Sequence, residues 1–493
     1  MKSIKYITIF LILSLFTSCS KDYLETFPTD GLDVNLVFTS TENAWGALNG
    51  IHRHMYTNWG GDQWYGGQGS IMQCLDVMGE DVILPNRANG YFVKQLQWLD
   101  HTDQTGHYTK FVWYFYYKVI SNANNIIGYI DDAEGTQKEK DVIKGQALAY
   151  RAWAHWMLVQ LYGKRYENGG DNSSPGVPIM TFESPEAKAR GTVEAVYELI
   201  NNDLDDAIEY LQGYARLNKS HLDQSVVKGL KARVLLTQQK WEEAADMAVS
   251  ASQGYSLMIA ADQFTGYNDY SNSEWMWGSK VTGDQTQTYG SFFAYMGANY
   301  FSRGVKGAPR VINVLLYNSL SNTDIRKGRF WIPNPTLGSV VIPEGGSIFP
   351  YMHQKFMSEA ESSSNGCITY MRVAEMYLIA AEGYARSNQT AKARQALYDL
   401  MITRDPAYTK STQDGQGLVN EILTSRRIEL WGEGFRFTDL KRLNERLNRS
   451  GTNHEPSVTG SVVTVEPGDR RWQWMIPKTS EIDVNPEIEQ NPA

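Results

Sequence analysis

The sequence predicts an all-α fold, mainly tetratricopeptide-like helical repeats, with one large irregular, loop-rich insert. Three observations predict it. Apolar residues recur at the helical period through most of the chain after residue 38. Two helical hairpins place residues at matching spacing: Ala232, Leu235, Ala244, Ala248 and Ala251 in one, Ala381, Tyr384, Ala393 and Leu397 in the other. Small residues let helices cross at short range, and such arrays leave a long outer surface for binding. Between 254 and 366 the period vanishes, and Gly, Asn, Ser and aromatic residues take over.

The elements follow in order. Lys2 and Lys5 precede an apolar run from Ile7 to Phe16 and the small residues Thr17 and Ser18, so 1–18 reads as a cleaved secretory signal. The run is too short to cross a bilayer roughly 30 Å thick as a helix. Phe16-Thr17-Ser18-Cys19 resembles the lipobox of bacterial lipoproteins, so Cys19 is expected to carry lipid. Two or more acyl chains anchor stably where one does not. Residues 19–37, with Pro28, Gly31 and several acidic side chains, read as a lipidated tether and N-terminal arm. Residues 38–493 read as a single helical domain containing the insert near 254–366. Ser40 or Thr41 caps a first helix carrying Ala44, Ala47, Leu48, Ile51 and Met55. Further helices are expected over 111–130, 139–162, 192–211, 223–238, 241–253, 369–387, 390–403 and 418–446. A strand-like piece covers 274–281, and a Gly-, Asn- and Ser-rich loop covers 167–178.

Composition narrows the function. A net charge of −9 with interspersed signs gives no footprint for nucleic acid. Cys74 and Cys367 are the only cysteines besides Cys19, which excludes a disulfide-dense scaffold and fits no zinc spacing. They are expected to be buried small hydrophobes. The 29 Tyr and 14 Trp exceed what a core needs, so some rings should lie on the surface and serve recognition. Trp113, Trp153, Trp156 and Trp431 sit inside helical patterns and are expected in the core.

Several motifs along the chain resemble one family. Cys19-Ser-Lys-Asp-Tyr-Leu-Glu25 with Pro28 opens it, and Ala147-Leu-Ala-Tyr-Arg-Ala-Trp-Ala-His-Trp156 with Leu161-Tyr-Gly163 follows. Arg190-Gly-Thr-Val-Glu-Ala-Val-Tyr197 leads to Asp203-Leu204. Arg372-Val-Ala-Glu-Met-Tyr-Leu-Ile-Ala-Ala-Glu382, Arg426-Arg-Ile-Glu-Leu-Trp-Gly-Glu-Gly-Phe-Arg436 and Asp439-Leu-Lys-Arg442 come next. Ile476-Pro477, Asn485-Pro486 and Gln490-Asn-Pro492 close the chain. Together they resemble the SusD/RagB lipoproteins of Bacteroidetes; Thr403-Arg404-Asp405 departs from the doubled arginine usual there. The resemblance implies a nutrient-binding protein on the outside of the outer membrane. It would capture oligosaccharide or polysaccharide without catalysis and pass it to a SusC-like TonB-dependent transporter. Some members bind peptides, proteins or glycoprotein glycans instead, and that alternative stays open. The acidic residue in Ser20-Lys21-Asp22 resembles the signal for surface export.

Glu429, Glu433 and Arg436, spaced i, i+4 and i+7, are expected on one helix, and Glu375 and Glu382 share a face one hairpin earlier. A glycosidase needs two carboxyls flanking a cleft, one with a raised pKa. The bland reading is preferred here: buried ion pairs that fix the register between repeats. No HExxH, P-loop, GxSxG or Rossmann pattern is present. No cofactor is called for, and a structural divalent ion such as calcium is left open.

Sugar C–H faces stack on aromatic rings while hydroxyls bond to Asn, Asp, Arg and Gln, so the site is sought where rings sit on polar loops. Trp64 and Tyr65 lie in the glycine-rich stretch 59–67. In the family the loop after Glu80-Asp81 often lines the ligand site, which carries Arg87, Asn89 and Tyr91 over as candidates; Trp98 lies just past it. Tyr289, Phe292 and Tyr295 form a third group inside the insert.

Overall fold

The computed structural model describes residues 37–182, 186–285, 288–332 and 342–492. The leader, Cys19 and the arm up to residue 36 lie outside the described residues. Helices of eight residues or more are α1 (Thr41–His54), α2 (Gly67–Val77), α3 (His107–Tyr129), α4 (Gln137–Tyr162), α5 (Val193–Tyr210) and α6 (Gln224–Thr237). They continue with α7 (Trp241–Ala251), α8 (Val373–Arg386), α9 (Thr390–Met401), α10 (Gly415–Glu429) and α11 (Arg436–Leu443). The strands are β1 (Val82–Ile83), β2 (Pro175–Pro178), β3 (Arg190–Thr192), β4 (Trp275–Ser279), β5 (Val311–Ile312), β6 (Phe330–Trp331), β7 (Met352–His353), β8 (Ile368–Arg372), β9 (Leu447–Asn448) and β10 (Thr464–Val465). The protein is helical, with small strands.

Local chemistry starts the helices where expected. Ser40 Oγ accepts the Asn43 N–H at 3.3 Å to open α1. Thr136 and Glu139 form a reciprocal capping box at α4. α4 is buried almost all round from Val142 onward, including Trp153 and Trp156, because α3 and α5 flank it. In the C-terminal half α8 is the hub, packed by α6, α7, α9 and α10. The alanines of both hairpins lie in these contacts and are buried. Cys74 and Cys367 are buried free thiols, and burial raises the Cys74 pKa well above its ordinary value.

Between α7 and α8 no described helix exceeds five residues. Two pairings tie this segment to the rest. β4 runs antiparallel to β8 through register shifts. An antiparallel sheet in the order β1-β5-β7-β6 joins the insert to the chain just after α2. Among the described residues no helix is long and apolar enough to cross a membrane.

The structure corrects three expectations. Residues 368–372 are a strand, and the helix begins only at Val373. α2 arises in a stretch where glycines hid the periodicity. The helix expected over 418–446 is two helices, because Gly432 (φ 82°) and Gly434 (φ 90°) adopt left-handed backbone in the turn between them. A Cβ at Gly432 would lie 2.6 Å from the Phe356 ring, so that turn accepts only glycine. Glu429, Glu433 and Arg436 therefore meet from the end of α10, the turn and the start of α11, rather than along one helical face.

They do form buried ion pairs. Glu429 takes bonds from Arg326 at 3.0 Å, Arg372 at 3.0 Å and Arg404 at 3.1 Å. Glu433 bonds Arg372 at 2.7 Å and Lys355 at 2.6 Å. Glu274 pairs with Arg404 at 2.7 Å and also with Arg372. Arg326 takes Asp324 at 2.7 Å. Alongside, Glu375 holds Arg233, Glu382 holds Arg442 at 2.8 Å, and Arg436 holds Glu80. The network staples strand, insert and repeats together; its pairs are costly to break singly even where their net gain is small.

Candidate functional site

Three loops converge on one face. The first, 58–66, closes on itself: the Trp59 N–H donates to Tyr65 O at 3.0 Å and the Trp64 N–H to Asp62 Oδ1 at 2.9 Å. It lies flat on the insert, since Asn58 Nδ2 donates to Gly290 O at 2.9 Å. Glycine at 66 is required there, because a Cβ would stand 2.3 Å from Gly290 O.

The second loop leaves β1 and runs through Tyr91. Its backbone is strained: Ala88 (φ 36°), Gly90 (φ 88°) and Phe92 (φ 62°) are all left-handed. Such strain persists only where surroundings impose it, and it gathers at functional sites. Here Asn86 Nδ2 donates to Gly307 O at 2.5 Å, and the buried Phe92 ring stands edge-on to Tyr295 at 5.2 Å. The third loop contributes 288–307 of the insert.

Tyr91 is where the loops meet. Its ring is edge-to-face with Trp64 at 4.8 Å and with Tyr295 at 5.6 Å, and its hydroxyl donates to Gln63 Oε1 at 2.8 Å. Trp64 and Tyr91 are half-buried, so each keeps an open part of its ring on the surface. Arg87 is exposed and fixed by Nε and Nη2 bonds to Ser457 O at 3.2 and 2.6 Å. Asn89 is exposed, and its Oδ1 receives the Tyr91 N–H at 3.3 Å. Tyr289, 40% exposed, leans on Tyr300 at 6.3 Å.

Other sequence candidates lie beneath this surface. Tyr65 stacks on Phe111 at 5.0 Å, and burial pushes its hydroxyl up to about 12. Phe292 and Tyr295 are buried; the Tyr295 hydroxyl donates to Gln63 O and thereby supports the first loop. Trp98 is 1% exposed, its indole N–H bonded to Met78 O at 2.8 Å and its ring edge-on to Trp472. Phe292, Tyr295 and Trp98 can position neighbours but present no open face to a ligand, whereas Tyr65 is half-buried like Trp64 and Tyr91. The structure adds three groups that local pattern does not mark. Gln63 braces both tyrosines, Ser457 arrives from the far C-terminal part, and Phe301 is 40% exposed.

The platform is a surface, not an enclosed cavity. A cavity of about 670 Å³ lies elsewhere, between 164–175, α11 and 467–473. Burial works against the charge on Glu429, yet Arg404, Arg372 and Arg326 hold it well below the carboxylate range, opposite to a general acid.

Comparison with known proteins follows the same outline. A family described as "Starch-binding associating with outer membrane" matches residues 71–236, and the SusD family matches residues 239–493. The chain belongs to the SusD family. SusD-like protein P25 of Formosa agariphila is 24% identical over 490 residues, covering 88% of each chain. A SusD-like carbohydrate binding protein from Bacteroides vulgatus ATCC 8482 superposes with a TM-score of 0.79 at 26% identity, covering 92% of this chain and 98% of that one. A laminarin binding SusD-like protein has the same fold at 18% identity, with a TM-score of 0.70 over 92% of this chain and all of that one.

Proposed function

We propose that this SusD-family chain is a non-catalytic glycan receptor on the cell surface. It captures oligosaccharide or polysaccharide on the platform of Trp64, Tyr91, Arg87, Asn89 and Tyr289 and delivers it to a SusC-like TonB-dependent transporter of the outer membrane. The observation that carries the binding half is the Trp64–Tyr91 pair, two rings held perpendicular on facing loops, that of Tyr91 strained, and flanked by exposed Arg and Asn side chains. Perpendicular rings offer a sugar two walls at once, and the polar groups reach its hydroxyls. The comparisons add relatives described as carbohydrate-, starch- or laminarin-binding.

A glycan array probed with the detergent-solubilised chain tests this reading, followed by calorimetry on the hits. Trp64→Ala and Tyr91→Ala should each weaken binding about tenfold, using stacking of ~1–3 kcal/mol per ring as the scale. An array without hits, or unchanged affinity in both variants, overturns it. Delivery and anchoring rest on family membership and on Phe16-Thr17-Ser18-Cys19. Cys19→Ala should abolish labelling by a palmitate analogue, and a large β-barrel should co-purify after mild detergent extraction. Persistent labelling, or a chain recovered alone from cells making both proteins, would remove those parts.

A further inference from the structure

The tryptophans point to a second place for a ligand. Of the 14 in the chain, nine are buried. Four of the other five lean on a partner. Trp45 stacks on His221 at 5.2 Å, Trp59 on Tyr114 at 6.0 Å, Trp64 meets Tyr91, and Trp241 receives the Arg386 guanidinium at 4.8 Å. Trp331 alone has no ring partner, no cation over its face and no acceptor for its indole N–H among the described residues. Strand geometry explains its exposure. β6 is an edge strand, Phe330 points inward onto Trp431 at 5.3 Å, and the next side chain points to the opposite face.

Trp331 lines a cavity of about 640 Å³. Phe264 stands on the same cavity; its ring lies against Gly328, is 49% exposed and has no aromatic neighbour. Between them are Tyr317, Asn322, Lys327 and Gln354. The strongest donors here are already engaged. Lys327 Nζ donates to Leu320 O at 3.0 Å and to Asn322 Oδ1 at 2.9 Å, and Asp324 is held by Arg326. What remains for a ligand is two free ring faces, the Trp331 N–H, the Asn322 amide N–H and the whole Gln354 amide. Rings flanked by amides suit a sugar, whose C–H faces stack on the rings while its hydroxyls bond the amides.

We propose that this cavity is a second saccharide site that takes pyranose units. Its ligand class rests on the glycan reading of the platform. The two sites occupy opposite edges of one sheet, since the platform loop leaves β1 and Trp331 sits on β6. Three strand spacings separate those edges, on the order of 14 Å. A polysaccharide engages both at once and gains avidity through the raised effective concentration of its second contact; a disaccharide engages each independently.

The test uses the full chain in detergent as wild type, Trp64→Ala, Trp331→Ala, Trp331→Phe and the double alanine variant. Gel retardation is measured with laminarin, soluble starch and every neutral polysaccharide that scores on the array, and calorimetric stoichiometry with the matching oligosaccharides. Trp331→Ala should weaken polysaccharide retention at least fivefold and reduce the stoichiometry from two per chain to one. Trp331→Phe should keep most of both, and the double variant should lose binding. Thermal melts of Trp331→Ala should match wild type, which separates site from fold. Wild-type retention with no change in Trp331→Ala overturns the second site and leaves the platform standing. Absence of retention by any neutral glycan overturns the second site, and failure on the whole array overturns both.

Discussion

Replacing Glu429 by Gln removes one negative charge from a network whose members are almost entirely shielded from water, and leaves the shape nearly intact. Arg326, Arg372 and Arg404 all bond this carboxylate, at 3.0, 3.0 and 3.1 Å. An amide oxygen can satisfy one of these donors, while its NH2 group faces the others as a donor against donors. Three guanidiniums then share Glu274, Asp324 and Glu433, the last also claimed by Lys355. Breaking a buried pair from one side costs about 3–5 kcal/mol. At roughly 2.1 cal/mol/K per residue, cooperative unfolding of a chain this size carries about 1 kcal/mol/K, so the melting temperature should fall by about 3–5 °C. Calorimetry at pH 7 reads it directly. The pH dependence adds a second check. The Glu429 pKa is depressed in the fold, so its contribution is complete above the unfolded carboxyl range near 4.5 and is lost as pH falls below it. The gap between wild type and Glu429→Gln should therefore narrow below about pH 4.5. A variant melting within 1 °C of wild type at pH 7, on the order of the smallest shift worth reading, would refute the claim that this network staples the repeats.

Two further outcomes follow from buried groups. Burial holds His52, His101 and His353 down to about 3, and His54 and His155 to about 4. The unfolded chain takes up these five protons near pH 6.5 while the fold refuses them, so stability should drop as pH falls from 6.5 to 4, by up to about 7 kcal/mol per pH unit. Asp76, pushed up to about 7 by burial, works the other way, as do Asp100, Asp203 and Glu481, whose carboxyls burial also raises. A flat urea-denaturation midpoint between pH 6.5 and 4.5 would contradict this. Arg449 has no carboxylate partner, and its guanidinium instead donates to the carbonyls of Val77, Met78, Gly79, Leu96 and Val462. Arg449→Met takes the guanidinium from these carbonyls, of which Met78 O keeps the Trp98 indole N–H; each buried acceptor left unpaired costs about 1–3 kcal/mol before relaxation, so the melt should fall by several degrees. A melt unchanged from wild type would place water in the guanidinium's role.

Much of the fold was legible in the sequence because helices are local. Capping at Ser40, the alanines of both hairpins, and the helical periods over 139–162, 192–211, 223–238 and 241–253 need only neighbouring residues to be read. The same holds for the core assignment of Trp153, Trp156 and Trp113, whose positions are periodic; Trp431 is buried as expected, but from the turn after α10. The failures come where distant atoms decide. The break between α10 and α11 rests on Phe356 and Met72 pressing on Gly432 and Gly434, residues remote in the chain. The strand at 368–372 forms because β4, some ninety residues earlier, offers it hydrogen bonds.

The site divides along the same line. Local pattern places rings on loops, and it marks Trp64, Tyr91, Trp98 and Tyr295 alike as aromatics beside glycine, asparagine or other rings. Which of them face water depends on what packs over each. Trp472 and Met78 close over Trp98, and Gln63, Tyr91 and Phe92 cover Tyr295. Trp64 and, at its sheet edge, Trp331 are only half-buried among the described residues. Ring type and loop character are properties of a few adjacent residues, so the sequence alone determines them. Exposure is a property of the packed whole, because every one of the covering groups comes from another part of the chain.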